Sequence, residues 1–150
     1  MDAKTILCPT DFSPPSIEAL VQAASLARRF GGRLIIVHVE KPPPFYDDLP
    51  PVEEQLRYRD ELLACLHEVA VPERDVPFDH KLLVGDPAAA IVRLAKEEKV
   101  DLIVMGTHGR SGLSRALLGS VAEAVVRRAP CPVLTVKQTE GAEMELVECS

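Results

Sequence analysis

No stretch of this chain approaches the roughly 18 consecutive apolar residues that a membrane-spanning helix requires, so no membrane span is expected. Positive charge is also short: 17 lysines and arginines stand against 23 aspartates and glutamates, a net charge of −6. Without a basic stripe to neutralise a phosphate backbone or an anionic lipid surface, neither nucleic acid nor membrane is an expected partner. The cysteines, Cys8, Cys65, Cys131 and Cys149, are scattered with no C-x-x-C pair, which suggests neither a zinc site nor a disulfide framework. Met1-Asp2-Ala3-Lys4 leads straight into an apolar segment and lacks the charged-then-apolar layout of a signal peptide. Together these features predict a protein of the reducing cytoplasm. No internal repeat is present, no Gly-Lys pair exists to build a Walker A loop, and no G-x-G-x-x-G follows the first strand.

What remains is an ordinary globular composition: 150 residues, 47% hydrophobic and 27% charged, enough for one domain with a core that needs no staples. Strand and helix patterns alternate, as in a parallel sheet covered by helices. Thr5 to Pro9 is a short apolar strand. Ser13-Pro14 predicts a helix start with the serine hydroxyl as N-cap, Ile17, Leu20, Val21, Ala24 and Ala27 recur at helical spacing, and Gly31-Gly32 ends the segment. Arg33 to Val39 is a second strand, apolar on both faces. Lys41 to Pro51 holds five of the 13 prolines and is read as loop, after which Val52 to about Ala70 is a second helix. The polar half of a third strand, Phe78 to Val84, suggests a sheet edge. Asp86-Pro87 opens a third helix with Ile91, Val92, Leu94 and Ala95 facing the core. A fourth strand, Leu102 to Met105, stops at Gly106; a helix over about Ser120–Arg128 and a fifth strand, Pro132 to Val136, complete a domain over residues 1–138. Residues 139–150 are read as an acidic tail, frayed or loosely docked.

The chemistry is concentrated after the fourth strand. Gly106-Thr-His-Gly109 precedes Gly119-Ser120 at the mouth of a helix, and such a loop lets backbone N–H groups approach an anion where the helix dipole is positive. Arg110 and Arg115 lie in the same loop and could add charge along a triphosphate. A purely structural account stands beside this one: Ser120 and Glu123 spell a capping box, and Gly106 could merely end a strand. Gly112-Leu-Ser114-Arg-Ala116 imitates a hydrolase elbow, but no histidine follows His108 to complete a triad. His38 is read as a satisfied strand-end histidine, His67 and His80 as surface residues, and His108 as a phosphate or solvent contact. They show no metal-ligand spacing, so no protein-built metal site and no catalytic residue are assigned; Mg²⁺ would arrive on the triphosphate.

The spacing Gly106-x2-Gly109-x9-Gly119-Ser120 resembles the ATP-binding signature of the universal stress protein family. The likeness extends to Ile6-Leu-Cys-Pro-Thr-Asp-Phe-Ser13, Ile36-Val-His-Val39 and Ala129-Pro-Cys-Pro-Val-Leu134. It implies an α/β fold of the adenine nucleotide α-hydrolase-like type, an open five-stranded parallel sheet of order 3-2-1-4-5 with helices on both faces. It further implies that Asp11 holds the ribose or adenosine end, with Pro9 and Thr10 shaping the same wall, and that the backbone of Val39 reads the adenine edge. Met105 and Gly106 would lie under the nucleoside, and Gly109, Arg110, Gly119, Ser120 and Val121 would contact phosphates. An alternative reading of Asp11 is an Asx turn leading into the following helix. The implied function is an ATP-binding stress-response or signalling module; a slow ATPase or phosphotransferase in the same pocket is the alternative, for which no positioned base is evident. A phospho-acceptor receiver domain shares the alternation, but Asp11 lacks an acidic neighbour and Asp86 is placed as a helix cap. The resemblance and the bare edge of the fifth strand both point to a homodimer.

Overall fold

A computed structural model of the chain describes residues 2–42, 49–107 and 118–137. Nine elements follow in the order β1 (Thr5–Pro9), α1 (Pro14–Phe30), β2 (Arg33–Glu40), α2 (Val52–Glu68), β3 (Phe78–Val84), α3 (Pro87–Glu97), β4 (Leu102–Gly106), α4 (Ser120–Arg128) and β5 (Val133–Val136). All four strand pairings are parallel and the sheet order is β3-β2-β1-β4-β5, as the resemblance implies. The parts of the two loops and of the tail read from sequence that fall at residues 43–48, 108–117 and 138–150, including Gly109, Arg110, Arg115 and His108, lie outside the described residues.

The twofold period of a strand explains how continuous apolar runs serve two cores. Ile6, Cys8, Leu34, Ile36, Leu102 and Val104 face α1 and Leu66 of α2. Their neighbours Leu7, Ile35, Val37, Ile103 and Met105 face the other way, onto α3 and α4. On α3, Ile91, Val92, Leu94 and Ala95 are buried as expected. On α1 the buried stripe is Ser16, Ala19, Leu20, Ala23, Ala24 and Ala27, whereas Val21 is 42% exposed. Small side chains let α1 lie close on the sheet, and Val21 falls on its outer side. Close approach also explains Gly32, where a Cβ would come within 2.6 Å of the Lys4 carbonyl oxygen, while Gly31 closes α1 in the left-handed conformation.

Caps divide between expectation and correction. Asp86 caps α3, its carboxylate accepting from the Ala89 N–H at 2.9 Å. Ser13 is the N-cap residue of α1 but its hydroxyl makes no cap bond; it donates to Asp11 Oδ1 instead. The N-cap of α4 is Gly119, which leaves Ser120 inside the helix and the Ser120–Glu123 capping box unmade; Glu123 pairs with Arg127 one turn on. Cys8 and Cys131 are free. Among the described residues no helix is long and apolar enough to cross a membrane.

Candidate functional site

Chain order reverses between β1 and β4: the chain leaves β1 toward β2 and β3 on one side and reaches β4 and β5 on the other. Crevices of open α/β sheets form at such a switch point, beyond the carboxyl ends of the strands. Here the β1–β4 ladder ends at Leu7 and Ile103, and a cavity of about 400 Å³ opens beyond it. Nine of the eleven residues singled out from sequence line this one cavity: Pro9, Thr10 and Asp11 after β1, Val39 on β2, Met105 and Gly106 on β4, and Gly119, Ser120 and Val121 at the start of α4. The remaining two, Gly109 and Arg110, lie outside the described residues.

Each wall has a local cause. Asp11 accepts from the Ser13 N–H at 3.0 Å through Oδ1, the Asx turn weighed above, which turns the chain from β1 into α1. Asp11 lines the cavity from this turn. Thr10 N–H donates to the Val37 carbonyl at 2.8 Å, the last backbone link between the β1 segment and β2. Two residues on, Val39 has the same backbone orientation as Val37, so its N–H and C=O face the space that β1 has vacated. Glu40, by contrast, turns its carbonyl the other way and accepts from Gly85 N–H at 2.9 Å. Val39 thus offers a donor and an acceptor side by side, the pattern that suits the edge of a planar heterocycle.

The opposite end of the cavity is the N-terminus of α4. Gly119 N–H donates to the Thr107 carbonyl at 2.7 Å, which pins the helix start to the end of β4. The helical ladder begins with Glu123 N–H on the Gly119 carbonyl, so the amides of Ser120, Val121 and Ala122 precede it and carry the positive end of the helix dipole. Gly106 has a second, structural reason to be glycine: a Cβ there would stand 3.0 Å from Pro15 backbone and side chain at the start of α1. Gly106 thus ends β4 against the start of α1 and also lines the cavity.

Residues that sequence reasoning did not assign complete the lining, among them Ser16, His38, Glu40, Lys41, Pro87 and Ile91. Their signal was positional: each stands at the carboxyl end of a strand or the first turn or two of the following helix. His38 is buried with both ring nitrogens engaged, Nδ1 with the Thr10 carbonyl at 2.8 Å and Nε2 with Glu40 Oε2 at 2.9 Å, in keeping with a satisfied strand-end histidine. His80, read as a surface residue, is instead half-buried against His67 and Phe78, with ring centroids 5.2 Å away in each case, and burial lowers its pKa. Charge is segregated: carboxylates of Asp11 and Glu40 and the ammonium of Lys41 border the β1–β2 end, while helix amides border the other. That polarity suits an anionic group at α4 and hydroxyl or N–H donors at β1 and β2. Among the described residues no group of three or more His, Cys, Asp or Glu side chains could hold a metal ion.

Comparison with known proteins agrees over nearly the whole chain. The model of the universal stress protein family matches residues 3–137. Universal stress protein MJ0531 of Methanocaldococcus jannaschii is 40% identical over 142 residues, covering 90% of this chain and 82% of its own length. The solved structure of hypothetical protein MJ0577 superposes with a TM-score of 0.80 at 29% identity, covering 94% of this chain and all of that one. A universal stress protein crystallised in complex with cAMP superposes with a TM-score of 0.70 at 30% identity, covering 93% and 100%.

Proposed function

The chain belongs to the universal stress protein family, and from that premise we propose that it binds ATP in the crevice between β1 and β4 as a nucleotide-dependent stress-response or signalling module. The observation that carries this reading is the convergence, on one cavity of about 400 Å³, of a carboxylate and a backbone donor–acceptor pair at one end and a helix N-terminus at the other. A nucleotide has the matching polarity: sugar hydroxyls and base edge at one end, anionic oxygens at the other. Asp11 would accept from ribose hydroxyls, Val39 backbone would read the adenine edge, and Pro9, Thr10, Met105 and Gly106 would enclose the nucleoside. Gly119, Ser120 and Val121, with Gly109 and Arg110, would meet the phosphates. The solved relative in complex with cAMP supports an adenine nucleotide as the ligand class. Mg²⁺ would be held on phosphate oxygens and water, since the described side chains offer no cluster for it. The proposal extends to a homodimer joined along β5.

Titration calorimetry with ATP, ADP and AMP tests the pocket. Gly119→Val is expected to abolish ATP binding in a folded protein, because a branched Cβ at the helix mouth fills the space that phosphate oxygens would take. Asp11→Ala is expected to weaken all three nucleotides by a similar factor, about tenfold or more for a lost charge-assisted hydrogen bond. Unchanged ATP affinity in folded Gly119→Val contradicts the phosphate assignment, and a loss confined to ATP in Asp11→Ala contradicts the ribose assignment.

A further inference from the structure

The turn that carries Asp11 is held by more than its own hydrogen bonds. Phe12, the next residue, has φ of +65°, a left-handed conformation that a bulky L-residue rarely adopts, so surrounding contacts must over-determine it. Thr10 Oγ1 accepts from the Phe12 N–H at 3.1 Å and Asp11 Oδ1 from the Ser13 N–H at 3.0 Å, and further bracing comes from β2. The His38 ring lies 4.7 Å from the Phe12 ring, planes inclined at 38°, and its Nδ1 donates to the carbonyl of Thr10 at 2.8 Å. One imidazole therefore fixes both the backbone before Asp11 and the side chain after it. His38 is itself held by Glu40, whose Oε2 lies 2.9 Å from Nε2 and whose Oε1 accepts from the Tyr58 hydroxyl of α2 at 2.9 Å.

We infer that His38, braced by Glu40, is a positioning residue for the nucleoside end of the cavity: it sets where Asp11 stands and so acts on ligand through that carboxylate. An aliphatic side chain of similar volume would support the Phe12 ring but strand the buried Thr10 carbonyl without its donor. Asparagine would restore a donor near the position of Nδ1. The inference rests on the nucleotide reading above, and its test separates the two.

Calorimetric titration of the full chain with AMP, ATP and inorganic tripolyphosphate, beside a thermal melt, compares wild type with His38→Leu, His38→Asn and Glu40→Ala. Loss of one buried hydrogen bond corresponds to about tenfold in affinity; that loss is expected in His38→Leu for AMP and ATP alike, with tripolyphosphate unchanged. His38→Asn is expected to recover most of it, and Glu40→Ala to show a smaller loss in the same two nucleotides. Folded His38→Leu with wild-type AMP affinity overturns the inference, as does an asparagine variant no better than leucine, or an equal loss for tripolyphosphate. Should leucine prevent folding, Glu40→Ala at its half-buried position carries the decision, and unchanged AMP affinity there overturns it. Wild-type protein that takes up neither AMP nor ATP overturns the nucleotide reading and this inference with it.

Discussion

Phe12 illustrates how much of the site is decided by one residue that composition and periodicity do not single out. Its ring is 3% exposed and sits in the α1-side core, while its backbone has φ of +65°. Phe12→Ala removes the ring, worth about 3–5 kcal/mol, and keeps the left-handed strain. Phe12→Gly removes the same ring but releases about 1–2 kcal/mol of strain, against roughly 0.4–1 kcal/mol of extra unfolded-state entropy. The glycine variant is therefore expected to be the more stable of the two by about 0.5–1 kcal/mol, the reverse of the usual order. Urea denaturation midpoints decide it, and a more stable alanine variant would contradict a left-handed residue 12. The same few residues show why local reading misplaced a cap: Ser13-Pro14 has the right letters, but Pro14 and Pro15 leave no N–H at the first two helical positions for the hydroxyl to accept from, and the hydroxyl turns to donate to the Asp11 carboxylate instead.

Among the elements, β3 and its neighbours carry the pH sensitivity. Glu98, at the end of α3, accepts from Lys81 Nζ at 2.7 Å and lies 3.4 Å from Arg33 Nη2. The Lys81 hydrogen bond first, then the charges of Lys81 and Arg33, hold its carboxyl below the ordinary 4.5. A lowered carboxyl contributes stability that is present above pH 4.5 and is lost as pH falls through its folded value. His80 on β3 adds a second window. Burial, outweighing the Val69 backbone and the Asp79 charge, lowers it from 6.5, so the folded state favours neutral imidazole and stability declines as pH drops below 6.5. Thermal melts between about pH 8 and pH 3 are expected to show both declines. Glu98→Gln should flatten the lower one and His80→Asn the upper; a Glu98→Gln curve parallel to wild type below pH 4.5 would contradict the assignment. These elements were legible in outline, since the apolar runs of β1, β2 and β4 are short, rich in β-branched residues and bounded by turn residues, as buried strands are. The weak anchoring of α2 was not: only Leu66 of its 17 residues is buried, and helical periodicity alone does not report how much of a face finds a partner.

At the scale of the whole molecule, the candidate site joins Asp11 to Ser120 across more than two-thirds of the sequence, and only the adjacency of β1 and β4 brings them together. Motif spacing singled out the α4 end of the cavity, whereas His38 was read only as a satisfied strand-end histidine and Glu40 was not assigned, because their part depends on which face of β2 turns toward the Thr10 carbonyl. The sheet order has a second consequence at its far side. β5 pairs with β4 through Val133, Leu134, Thr135 and Val136, and no described strand lies beyond it. Its outer backbone groups form an edge that a second copy could extend, and a two-fold axis closes such a contact into a dimer where a translational repeat would build a fibre. Protection is thin: Pro130 and Pro132 precede the strand, Lys137 follows it, and Leu134 is 41% exposed at its centre. The unaltered chain is accordingly expected to sediment as a dimer at micromolar concentration. Leu134→Lys, at a position too exposed to anchor the monomer core, should shift that population toward monomer with little change in melting temperature. A single monomeric species for the unaltered chain would remove the β5 dimer from consideration, and a dimer indifferent to Leu134→Lys would move its interface elsewhere.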